Sequence, residues 1–152
     1  MTIVTTNQEI APWRETRWLT LSSLFFLVPA IYGYFQKVYF LSNVLVVTSL
    51  VSANYWRKCT YGLRRNMDLV VAKIAFGIFL LDCFRYVRKP IYVITGYPGI
   101  ALLGYCYHLS GELRDKYHHP RWLLCHFLFH VLLTYEQFLV IDSIFTHNAL
   151  KN

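Results

Sequence analysis

Residues 18–56 read WLTLSSLFFLVPAIYGYFQKVYFLSNVLVVTSLVSANYW. The only charged residue in this stretch is Lys37, which with Gln36 divides it into apolar blocks at 18–35 and 38–56. Each block is about as long as a helix must be to cross a hydrocarbon core of roughly 30 Å. Three more blocks follow, at 67–84, 91–108 and 122–145. The expected fold is therefore all-α, a polytopic transmembrane helical bundle of about five spans. At 152 residues the chain has no room for a soluble domain beside them, so residues 1–152 read as a single integral membrane domain.

Composition agrees. Hydrophobic residues make up 56% of the chain and charged residues 15%, against roughly 25% charged in a soluble domain. Trp13, Trp18, Trp56 and Trp122 all fall at or near block ends, where an interfacial aromatic belt is expected. The net charge of +7 would point to nucleic acid in a soluble protein. Here the basic residues sit in short loops, where they set topology and meet anionic lipid head groups. The expected partners are the bilayer and those head groups, with no nucleic acid. Cys59, Cys83, Cys106 and Cys125 form no CxxC pair and imply no disulfide framework.

With five spans, the N-tail, the second loop and the fourth loop share one side. They carry Arg14, Arg17, Arg57, Lys58, Arg64, Arg65, Arg114, Lys116 and Arg121, against Lys37, Arg85, Arg88, Lys89 and Lys151 on the other side. This bias predicts a cytoplasmic N-terminus. The first 17 residues carry Glu9 and Glu15 and are too polar for a cleaved signal, so the first span is expected to remain as an anchor. Pro29 is expected to distort span one, and Pro90 and Pro120 to open spans four and five. Gly96, Pro98, Gly99 and Gly104 make span four the least regular helix and permit close helix contact.

Ionisable groups inside spans are costly and become functional candidates. They are Asp68, Lys73, Asp82, His108, His126, His130, Glu136 and Asp142. The topology gathers Ser52, Asn54, Asp68, Lys73, His108, His118, His119, His126 and His130 towards the cytoplasmic face. At the opposite end Asp82, Arg85 and Asp142 are placed to pair near the interface. His126 and His130 are spaced i, i+4 and project from one helix face. Such a pair can share a zinc ion, with His108 or His119 as third ligand and Asp68 holding the water. The competing reading is two neutral histidines hydrogen-bonded across helices. Lys73 most simply snorkels to the interface. Glu136, halfway along span five, must be either protonated or paired.

Ser52-Ala53-Asn54-Tyr55-Trp56, Asp68 and His126-Phe127-Leu128-Phe129-His130 occur in an order that resembles the CREST superfamily of membrane hydrolases, which includes alkaline ceramidases and adiponectin-receptor-like proteins. There a Ser followed by a His ends an early span, an Asp begins the next, and an HxxxH pair opens a later one. The resemblance implies zinc on the histidines, with Asp68 and Ser52 serving water and substrate. Two departures stand out. Trp56 occupies the place of the first ligand, and the family core has seven spans. A reduced or inactive relative fits both.

Three functions follow as expectations. The first is a small multi-pass membrane protein with a structural, scaffolding or lipid-interaction role. The second is a zinc-dependent hydrolase of lipid amides or esters, with Asp68 as base, Ser52 at the substrate, and His126, His130 and His108 as metal candidates. The third is a proton or ion conductor using Glu136 and the histidines. So small a chain is also expected to use a second copy or another membrane protein to help bury its polar groups.

Overall fold

The computed structural model describes residues 9–116 and 120–150. The chain is 86% helical and has no strand among the described residues, so the fold is all-α. Five helices follow in order: α1 (Trp13–Phe35), then α2 (Tyr39–Arg57), α3 (Leu63–Tyr86), α4 (Pro90–Asp115) and α5 (Trp122–Ala149). Two of them, α1 and α5, are long and apolar enough to cross a membrane, which points to a membrane location. α1 tightens into a 3-10 turn at Leu24–Phe26. Pro29 withholds the N–H that the Phe25 carbonyl would accept, and the turn upstream absorbs the fault.

The α1–α2 connection is as short as the sequence implies. Val38 N–H donates to the Gly33 carbonyl at 2.8 Å and Lys37 N–H to the Tyr34 carbonyl at 3.1 Å. These are the two bonds of a Schellman cap, with Lys37 as the left-handed residue at φ 60°. Glycine occupies that position most easily, and a side chain there costs about 1 kcal/mol. Lys37→Gly should therefore raise stability by roughly that amount, read as a higher thermal midpoint in detergent. An unchanged or lower midpoint would count against the cap.

α1, α2, α3 and α5 form a closed ring of neighbours, α1 on α2, α2 on α3, α3 on α5 and α5 on α1. α4 packs mainly on α5, across an extensive interface. The core has two parts. One gathers Ala30, Leu41, Leu45, Phe79, Val140 and Ile141. The other, at one end of the bundle, gathers Ala11, Leu19, Tyr55, Trp56, Cys59 and Trp122. That end also holds the N-tail, since Ile10 N–H donates to the Cys59 carbonyl at 2.8 Å.

Three expectations change. Trp13 and Trp18 are exposed, but Trp56 and Trp122 are 2% and 6% exposed and belong to the core, not to an aromatic belt. Their rings lie 6.1 Å apart, and that of Trp56 also packs on His126 of α5. Pro90 does open α4, but Pro120 lies one residue before the N-cap of α5, Arg121, and only its carbonyl serves the helix, accepting from Leu123 N–H at 3.3 Å. α4 also continues past residue 108 to Asp115, its last turns held by charge pairs such as Lys116–Glu112 at 2.6 Å. All four cysteines are free.

Candidate functional site

The polar residues near the Trp56 end are organised by serines that face neighbouring helices. Ser22 of α1 lies 2.8 Å from His130 Nδ1 on α5. Its hydroxyl donates to the Leu19 carbonyl at 3.1 Å. The contact ties the imidazole of α5 to the Ser22 hydroxyl through Nδ1. Ser110 of α4 repeats the arrangement. It donates to the Trp122 carbonyl at 3.2 Å and lies 3.3 Å from His126 Nδ1. Both rings thus meet a serine hydroxyl through Nδ1, which fixes their orientation. Their centroids are 5.0 Å apart.

A second serine chain joins α1 to α2. Ser23 donates to Ser52 Oγ at 3.0 Å, and Ser49 donates to the Ser23 carbonyl at 2.9 Å. Ser52 is buried, and Asp68 on α3 lies close to it. Asp68 and His126 share the wall of a cleft of about 430 Å³. Tyr55, Trp56, Arg65, Tyr107, Glu112 and Arg114 complete much of its lining. At its rim, the hydrogen bond from Lys116 holds the Glu112 carboxyl below the usual carboxylate range. Arg114 lies 5.9 Å over the Trp122 ring, and Arg65 5.3 Å over the Tyr61 ring. Below the N-tail, burial pushes the Cys59 thiol up.

Ser52, Asp68, His126 and His130 thus come to one end of the bundle, as their order in the sequence implies. Other candidates do not join them. His108 lies at the rim with its side chain 72% exposed, 3.6 Å from Glu112. Asn54 and Lys73 are exposed, and Lys73 is placed as a snorkelling residue would be. His118, His119 and Lys151 lie outside the described residues, as does the tail before Glu9. At the opposite end Asp142 pairs with Lys89 at 2.8 Å rather than with Arg85, and also accepts from Tyr32 at 2.8 Å and Tyr92 at 2.7 Å.

Among the described residues the donor set does not complete the zinc site that the resemblance implies, and His119, the other expected third ligand, lies outside them. A catalytic zinc takes three protein ligands. Among the described residues no group of three or more His, Cys, Asp or Glu is placed to hold a metal. The third face of the histidine pair is filled by Trp56, whose ring centroid is 4.8 Å from that of His126 and 6.5 Å from that of His130. Its indole nitrogen is buried without a partner and is a donor with no lone pair to offer. His108, the third candidate, is turned to Glu112 instead.

Sequence reasoning missed Ser22, Ser23, Ser49 and Ser110. For the first three the signal was present, because serines inside apolar blocks face other helices more often than lipid, whereas Ser110 lies beyond the block at 91–108. The chain matches no family model, no curated protein and no solved structure.

Proposed function

We propose that this chain is a five-span membrane protein with a structural and lipid-interaction role, and a reduced, metal-free relative of the CREST arrangement. The observation that carries the reading is the closure of the polar cluster. His126, His130, Ser22, Ser23, Ser49, Ser52 and Ser110 are bonded to one another or to backbone across four helices, with Trp56 packed against both imidazoles. Polar groups so satisfied knit membrane helices together.

Five spans are supported by length and surface. α2, α3 and α4 have 19, 24 and 26 residues, enough for a core of about 30 Å. Phe35, Phe40, Leu81 and Ile94, on the first four helices, are 80%, 67%, 72% and 69% exposed, a surface suited to lipid rather than water. The cleft beside Asp68 offers Arg65 to an anionic head group, with Tyr55, Trp56 and Tyr107 for its apolar neck, while Arg114 on the same wall is already paired with Asp115 at 2.7 Å.

Two measurements test this. Reporters fused at the two ends should fall on opposite faces of the membrane, with the N-terminus cytoplasmic. Ends on one face would overturn an odd number of spans. Native mass spectrometry should find an anionic phospholipid bound to the wild type, and Arg65→Gln should weaken it about fivefold, the effect of one basic residue near the surface. Equal binding of zwitterionic and anionic lipid by both proteins would overturn the head-group role.

A further inference from the structure

Glu136 lies on the face of α5 that meets α4, and its residue surface is 7% exposed. Its carboxyl fills a notch in the α4 backbone. A Cβ on Gly99 would stand 2.0 Å from Glu136 Oε1, and one on Gly96 would stand 3.3 Å from Oε2. Only two residues without side chains leave space for a carboxyl at this seam. Oε1 is buried and has no hydrogen-bond partner. Pro98 lies between the two glycines, inside the helix. Its missing N–H leaves the Ile94 carbonyl without its usual helix donor. The same turn of α4 thus carries both a carbonyl freed by proline and the notch that takes the carboxyl.

Asp142, on the same helix, is the useful contrast. It receives Lys89, Tyr32 and Tyr92 and is built to be an anion. Among the described residues Glu136 receives no cation. Among the described residues, the titratable side chain whose field it shares is the Cys83 thiol of α3, while α4 meets it with Gly96 and Gly99. An unpaired carboxylate in this setting carries a desolvation cost that nothing nearby offsets.

We propose that Glu136 is a proton-binding site at the middle of the bundle, occupied as the neutral acid in the Gly96–Gly99 notch. Loss of the proton places a bare charge in the interface that holds α4, so proton occupancy and α4 docking are coupled. The inference does not depend on the absence of metal or on the lipid role.

The test is labelling of the folded wild-type protein, in detergent micelles and in liposomes, with dicyclohexylcarbodiimide. This apolar reagent attacks protonated carboxyls and leaves a stable N-acylurea. Peptide mass spectrometry should map the adduct to Glu136 and not to Asp142. Labelling should fall about tenfold for each pH unit above its midpoint, as for any single titrating acid. Glu136→Gln should lose the adduct. Gly99→Ala, which evicts the carboxyl from the notch, should move the midpoint. An unlabelled Glu136, a pH-independent adduct, or an unmoved midpoint in Gly99→Ala would each overturn the proposal. Should Glu136→Gln fail to fold, peptide mapping of the wild type decides the matter without it.

Discussion

Gly33→Val is expected to cost about 3 kcal/mol or more, the upper part of the range for overpacking a filled core. A Cβ at this position would stand 2.3 Å from Ser42 Oγ and 3.3 Å from Ile141 Cδ1. Neither neighbour can yield easily. Ser42 is fully buried, and its hydroxyl donates to the Val38 carbonyl at 2.9 Å. Ile141 is fully buried in the core shared by α2, α3 and α5. Nor can the backbone retreat, because the Gly33 carbonyl holds the cap that reverses the chain into α2. The midpoint of unfolding in a sodium dodecyl sulfate titration, followed by tryptophan fluorescence, measures the loss. Gly33→Ala should show a smaller one, and adding Ser42→Ala should restore part of it by making room. Strict additivity of the two substitutions would mean that the close approach is not what Gly33 is for.

Trp56→His should create zinc binding. Trp56 fills the space beside His126 and His130, and both rings are held through Nδ1 by Ser110 and Ser22, which leaves Nε2 as the remaining ring nitrogen. A third imidazole at position 56 would complete a three-histidine set. Removing a buried indole should cost about 3–5 kcal/mol, and zinc should restore stability in proportion to its affinity. The measurement is the thermal midpoint with and without zinc. A rise of several degrees is expected in Trp56→His and none in the wild type. A folded Trp56→His protein indifferent to zinc would show that the two histidines do not converge on position 56.

These cases show what the chain discloses before it folds. The helices were legible because apolar blocks of 18 or more residues have few other solutions, and the hairpin because Gln36-Lys37 leaves no length for anything else. The convergence of Ser52, Asp68, His126 and His130 could be inferred from topology, which puts their helix ends on one side. The role of Trp56 could not. A tryptophan at the end of an apolar block reads as an interfacial anchor, and only the packing of α1, α2 and α5 reveals that it is enclosed. The notch under Glu136 was hidden for a related reason. Gly96 and Gly99 signal close approach but not what approaches, and the partner lies 37 residues beyond Gly99, on α5. Pairing choices such as Asp142 with Lys89 depend on helix rotation, which periodicity fixes poorly when all faces are apolar.

The most direct test of the account is the zinc content of the purified wild-type protein, supplied with zinc and then dialysed, beside the double variant His126→Ala/His130→Ala. A closed, hydrogen-bonded cluster predicts no stoichiometric zinc in either protein. About one zinc per wild-type chain, lost in the double variant, would contradict it and make the pair a metal centre whose remaining ligand must be sought beyond the described residues, at His118 or His119.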